Sequence, residues 1–502
     1  MTVYGTSAAR DRQGWFLGLT GPQLLLVLTA AFPVWLSMAV GRWLALVVLV
    51  PAWVLAAGLV CVPVRGWSAA QWIGVLCRHV IGHAAGWTSW QSKAAAGRID
   101  DPGEADLPGV LAGVVIHDGP PWAGRPGRPA IVQNLAGRTW AATARIVHPG
   151  IGMADEEERD RMGAGLAELF EAASGGTELH LLALQVRTVP DDGTARAQWT
   201  RDHRRDDEPE LSRRIHARVD AAMQGAAVRT EAFVTVVVHE DAVGRSARRA
   251  GRGVQGRARI LYTTLAEVEA RLLGAIGCTG VTWLNSADLA VAIRTGFEPG
   301  DAPALADADL QSVRDGVVAA GVPVAAAGPA TADTTMRAYA HGDWRSVSTT
   351  ILLPRRGARM GALARALVPT RVGERRSLTV FYTPISPRAA DRSTGRAEMS
   401  AAMGAEVRRK VGKVERAHER RATQQLRETD EKLERGRSLV RVSSALAITI
   451  PAGWDTADYG RRLDASVRLC GFTPLPLDGS HDAAFAAAAI PLGVGLPQRR
   501  TR

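Results

Sequence analysis

From Pro22 to Val40 the chain runs nineteen residues without a charge, and from Trp43 to Val62 it runs twenty more. Each run is long enough to cross the roughly 30 Å hydrocarbon core of a bilayer as a helix. Only Gly41 and Arg42 stand between them, so the pattern predicts a transmembrane hairpin over 22–63 behind an amino-terminal tail, 1–21. A helix apolar on every face for five turns, twice in succession, has nothing in a soluble fold to bury against. Pro33 and Pro51 fit this reading, since membrane helices tolerate proline where neighbours re-satisfy the backbone. Segment 64–106 carries Trp72, Ile73, Leu76, Val80 and Trp87 at roughly helical spacing, predicting an amphipathic juxtamembrane helix, and then a polar linker from Lys93 to Asp106.

Beyond 106 the periodicity changes. Val110–His117 and Thr139–His148 read as strands of a hairpin, with the Pro-, Gly- and Arg-rich stretch Gly119–Pro129 between them. Asp155–Ala173 repeats Met162, Leu166, Leu169 and Phe170 at helical intervals behind an acidic start. Strand Glu178–Val189, helix Glu208–Gln224 and strand Thr230–His239 complete a first α+β domain, 107–245. An arginine-rich loop, Gly244–Arg257, leads to a second α+β domain, 257–490. Its predicted order is strand Arg259–Tyr262, a helix opened by Thr264 with Glu267 as in a capping box, strand Gly280–Leu284, and a helix capped by Asn285 or Ser286. An Ala/Gly/Pro-rich loop follows over 301–335. Then come strand Trp344–Leu353, helix Gly357–Leu367, strand Ser377–Thr383, strand Leu439–Ile450, helix Thr456–Cys470 and a Pro-broken end. Segment 395–437 mixes twelve basic with eight acidic residues around a thin stripe of Val407, Val411, Val414, Leu426 and Leu433, predicting a long charged helix. The fold class is thus a two-helix membrane hairpin followed by an α+β region of two related layers carrying that helix.

Charge adjusts this picture in two ways. The net charge is +11, yet only four of the 61 basic residues are lysine, as in any arginine- and alanine-rich coding sequence; direct nucleic-acid binding is not the expected use of the charge, and contact with membrane lipids is. Arg10 and Arg12 before the hairpin and Arg65 and Arg78 after it outnumber Arg42 at its tip, predicting a multi-pass cell-membrane protein with both termini cytoplasmic. Trp15, Trp43, Trp67 and Trp72 flank the spans where an aromatic belt belongs. Cys61, Cys77, Cys278 and Cys470 lie too far apart in sequence for a C-x-x-C site and fit a reduced compartment.

No residue is nominated as catalytic, cofactor-binding or metal-binding, and the chain is expected not to be an enzyme. Gly251, Gly253 and Gly256 match G-x-G-x-x-G, but a phosphate loop must join a strand to a helix start, a context the pattern does not supply. There is no G-x-x-x-x-G-K-[ST], no G-x-S-x-G and no H-E-x-x-H. His79 and His83 stand four apart, as in a metal pair, without a third ligand. Asp191 with Asp192, and Asp206 with Asp207, lie in hydrophilic turns, where solvated carboxylates are ordinary.

The hairpin and the α+β region together resemble the small two-helix membrane subunit of type IV secretion and conjugation machines fused to the amino-terminal domain of their conserved motor ATPase. The likeness rests on LAEVEARLLGAIGCTGVTWLNSADLAVAIRTGFEP, RAYAHGDWRSVSTTILLPR, RSLTVFYTPISP and the charged helix ending in SLVRVSSALAIT. It extends over roughly 350 residues as an order of packing elements. In that family a RecA-like ATPase follows; these 502 residues contain none. The resemblance therefore implies an actinobacterial integral membrane subunit that works beside a separate ATPase and other machine subunits, oligomeric within the complex. A membrane component of type VII secretion, also with two amino-terminal helices, is similar in layout, and a membrane-anchored binding or signalling domain is the remaining alternative.

Overall fold

The computed structural model describes the chain apart from residues 1–20, 62, 65–66, 100, 126, 153, 176–178, 191–198, 201, 206, 224–227, 317–320, 355–357, 359–360, 393–423, 425–427 and 497–502. It divides into two units. One comprises the described chain up to Trp87 with Ile385–Leu439; the other comprises Thr88–Pro384 and the chain from Val440 onward.

The first unit opens with helices α1 (Gly21–Ala39) and α2 (Trp43–Cys61), packed against each other and joined at Val40–Arg42. The Trp53 indole donates to the Val27 carbonyl at 3.1 Å, tying the helices together. A two-stranded ribbon, β1 (Pro63–Val64) with β2 (Trp67–Ser68), leads into α3 (Ala69–Ala84), which leaves Ile73, Leu76, Val80 and Ile81 exposed. Most of segment 395–437 lies outside the described residues; Glu428–Glu434 is helical, and the Ile385 amide donates to the Leu439 carbonyl at 2.9 Å.

The second unit is built on a thirteen-stranded sheet, antiparallel at every pairing. Short strand β3 (Ser89–Gln91) forms one edge. A hairpin of β4 (Val114–Asp118) and β5 (Ala130–Asn134) precedes β6 (Thr139–Val147), α4 (Glu156–Gly175) and β7 (Leu179–Pro190). Helix α5 (Glu210–Met223) lies in the connection to β8 (Val228–His239); α6 (Glu240–Ala250), α7 (Gly253–Leu273) and β9 (Gly280–Trp283) follow, then α8 (Ser286–Phe297) and α9 (Ala302–Asp315). A second hairpin, β10 (Thr331–Thr334) with β11 (Tyr339–His341), precedes β12 (Trp344–Leu352), β13 (Arg375–Pro384), β14 (Val440–Pro451), α10 (Thr456–Leu469), β15 (Thr473–Pro476) and α11 (His481–Ala489).

The two runs repeat one topology. In the first, β8 lies between β7 and β6, and β6 shares its outer edge between β5 and β9. In the second, β14 lies between β13 and β12, and β12 shares its outer edge between β11 and β15. Each half is thus the fourth-first-third-second strand order of a split β-α-β unit with a leading hairpin and a trailing helix. The halves join through β7 and β13, antiparallel from Leu182↔Tyr382 to Thr188↔Arg376, which makes them related by an approximate twofold through the sheet.

Side-chain alternation along the strands separates two cores. On one face Val234, Val236 and Val238 meet Leu166, Phe170, Leu261 and Leu265 of α4 and α7, while Leu446, Ile448 and Ile450 meet Tyr459, Leu463 and Val467 of α10. On the other face the trailing helices α8 and α11 cover small residues, Ala141, Ala183, Ala445 and Ala447. Every residue of α11 except Asp482 is buried, and its sequence, HDAAFAAAA, lets its backbone lie close on the alanine-lined sheet.

Several sequence expectations need correction. Gly244–Arg257 is no loop and Arg259–Tyr262 no strand: both lie in the antiparallel pair α6 and α7, and Thr264 sits inside α7, not at its start. The pattern there reads as polar because α6 buries only Val243, Gly244 and Ala247. The domain boundary placed between 245 and 257 falls inside the first half, which extends through β9 and α8 to Phe297. Segment 301–335 is not a loop but holds α9 and β10. The hairpin expected between Val110–His117 and Thr139–His148 is two pairings, β4 with β5 and β5 with β6. Among the described residues of Gly357–Leu367 there is a 3-10 turn, Ala364–Leu367, in place of an α-helix, and the carboxyl-terminal stretch holds β15 and α11.

Candidate functional site

The glycine motif is resolved by geometry. Gly251 and Gly253 take φ of 139° and 53°, values that reverse the chain between α6 and α7, and a Cβ at Gly256 would collide with the Ala247 carbonyl. The three glycines therefore build a tight helix–helix joint. Among the described residues no group of three His, Cys, Asp or Glu could hold a metal ion. His79 and His83 lie on α3; Asp191, Asp192 and Asp206 fall outside the described residues, and Asp207 pairs with exposed Arg205 at 3.0 Å.

One arrangement resembles a nucleophile with its base. His341 Nε2 lies 2.8 Å from Ser346 Oγ, which lies 2.7 Å from Thr449 Oγ1. His341 Nδ1 lies 2.7 Å from the Phe297 carbonyl, so Nδ1 carries the proton and donates, and Nε2 accepts from the serine. Burial drives the imidazole down to about 3, so it is neutral at any ordinary pH. His341 and Ser346 are fully enclosed, and Phe485 stacks on the imidazole at 4.3 Å. The pair ties the end of α8 to β11 and β12 with no space for a substrate.

The densest polar chemistry lies where the halves meet. Arg187 on β7 and Arg375 on β13 are each 1% exposed. Arg187 donates to Glu231 at 2.8 Å and to the Ala292 carbonyl at 2.8 Å, and Arg375 donates to the Thr295 carbonyl. Beside them Gln185 and Thr379 both donate to the Ala488 carbonyl, at 2.8 and 3.0 Å. The Thr295 and Ala488 carbonyls belong to the last turns of α8 and α11, where intrahelical bonding leaves carbonyls unsatisfied, and Ala292 lies just before that turn of α8. Two helix carboxyl ends, each carrying a partial negative charge, thus converge on two guanidiniums. Burial alone would raise the Glu231 carboxyl, but Arg187, Arg375 and Arg229 outweigh it and hold the group down to about 2. Burial, then the charge of Arg187, lowers Arg375 to about 9, still cationic at neutral pH. This centre locks the trailing helices across the junction of the halves.

Glu298, just past α8, is 7% exposed. Burial raises its carboxyl to about 7; Arg294 opposes this, while Asp301 and Asp343 add to it. Its folded value exceeds the ordinary 4.5, so its stabilising contribution is complete below about 4.5 and is lost as pH rises through about 7. Glu298→Gln should therefore melt higher than the parent at pH 8 and alike at pH 4.5. An advantage independent of pH would contradict the assignment.

Two surfaces remain open. On α2, Trp43–Val60 is an 18-residue apolar stretch with none of its residues buried, long enough to cross a membrane; the apolar part of α1 among the described residues, Val27–Ala39, is shorter. On α5, Leu211, Ile215 and Val219 repeat every fourth residue and are 45–64% exposed. The sequence marked α2 by its charge-free length and α5 only as a helix over Glu208–Gln224. Compared with known proteins, the chain matches no family model and no curated protein.

Proposed function

We propose that this chain is a non-catalytic, membrane-anchored subunit of a type IV-like conjugative transfer or secretion machine, which holds a separate motor ATPase at the bilayer. The observation that carries the reading is the uncovered apolar helix α2, followed through β1, β2 and α3 by a large α+β body. Surface of this kind, exposed on a chain in water, demands another environment. In the proposal α1 and α2 both span the membrane, with Arg42 outside and both termini cytoplasmic, and α3 lies along the headgroups with its exposed apolar residues turned to the lipid.

The α+β body supplies the docking platform. Helix α5 lies in the connection between β7 and β8, and its stripe of Leu211, Ile215 and Val219 is a contact for the motor; segment 395–437 contributes a second, charge-rich one. A contact of this composition is salt-sensitive. Co-purification from native membranes at low and high salt tests it, with the intact protein beside a Leu211→Ser/Ile215→Ser/Val219→Ser variant and one lacking 395–437. The intact chain should bring down an ATPase most strongly at low salt, and both variants should bring down less. Failure of the folded, membrane-bound intact protein to capture an ATPase in either condition would refute the docking role. Labelling of a residue in 100–490 from outside intact cells would refute the topology.

A further inference from the structure

Arg245, Arg248 and Arg249 stand at positions i, i+3 and i+4 of α6, so they share one face of the helix, and Arg252 lies in the turn after it. All four are exposed, and among the described residues none is in an ion pair. The nearby acids are already committed. Glu240 takes Arg257 and the Trp140 indole, and Asp241 takes Arg138 at 2.8 Å. The carboxyl end of α6 offsets part of the positive charge, but the amino end of α7, which no side chain caps, adds to it. The fold thus carries a cationic ridge without a counter-charge among the described residues, held in place because Val243, Gly244 and Ala247 bury the opposite face of α6.

We infer that this ridge is a docking surface for the anionic phosphates of a lipid bilayer. This rests on the membrane anchoring proposed above. The ridge contains no aromatic or large apolar side chain, so it contacts headgroups without inserting and offers no stacking platform for nucleic-acid bases. On a chain already tethered to a membrane, each such arginine adds attraction to an anionic leaflet, and this is lost as salt shortens the screening length.

The test uses the full chain in nanodiscs of phosphatidylcholine, alone or with phosphatidylglycerol, and follows trypsin cleavage after Arg252 relative to exposed Arg205 in the same digest. The ratio should fall about fivefold or more in the anionic discs and recover at high salt. In an Arg245→Gln/Arg248→Gln/Arg249→Gln variant, which keeps the Arg252 cleavage site, it should be the same in both discs. An equal ratio for the parent protein in the two discs overturns the proposal while leaving the anchoring intact. Shielding by added duplex DNA in neutral discs, with no effect of anionic lipid, overturns it in favour of nucleic acid. A chain that co-elutes with neither disc overturns the anchoring and this inference together.

Discussion

Replacing Arg187 with methionine should destabilise the α+β body by about 3–5 kcal/mol, because it leaves the Glu231 carboxylate without its buried partner. The same change also strips the Ala292 carbonyl of its side-chain donor in the last turns of α8. Arg375→Met is the informative contrast. Among the described residues the Arg375 guanidinium makes one hydrogen bond, to the Thr295 carbonyl, and its Nε and Nη2 find no partner, so the native state carries much of the cost of burying this charge. Its replacement should change stability by less than about 1 kcal/mol or raise it. Chemical unfolding of both variants in detergent decides the matter. Equal losses would show that the two guanidiniums are interchangeable packing elements, and that the ion pair with Glu231 does not set Arg187 apart.

Acid should destabilise the same centre. The Glu231 carboxyl is held down to about 2 against an ordinary 4.5, so its contribution is complete above about 4.5 and disappears as pH falls through about 2. A gap of this size corresponds to about 3 kcal/mol. Melting temperature should therefore fall steeply between pH 4.5 and 2, and Glu231→Gln should flatten that part of the profile while starting from a less stable protein. A Gln variant with the parental slope would place the acid sensitivity elsewhere. Glu298 acts in the opposite direction over its own range, so these two groups together favour the folded state most near pH 4.5.

The parts of this protein legible in its sequence are those whose side chains face one uniform environment on each side. Val228–His239 and Val440–Pro451 show strand patterning, and α4 and α10 show helical periodicity, because a single buried face imposes a period. Charge-free length exposed the apolar pair α1 and α2, and the side chain of Asn285, accepting from the Asp288 amide at 2.8 Å, caps α8 where the sequence placed the cap. The same reasoning missed α11 because that helix has no polar face to create a period, and it missed α6 because only three of its residues are buried. It misplaced the domain boundary because β9 pairs with β6 across more than 130 residues of chain, a choice made by partners remote in sequence.

The polar centre was hidden for the same reason. Arg187 and Arg375 look like any of the chain's many arginines until β7 and β13 pair and bring both beneath the ends of α8 and α11. Sequence by itself determined the apolar helices α1 and α2, the α+β composition and most strands, since hydrophobic burial acts on local periodicity. Tertiary structure decided which strands pair, which arginines become buried and which stay on the α6 ridge, because those outcomes depend on contacts between segments that only the completed sheet brings together.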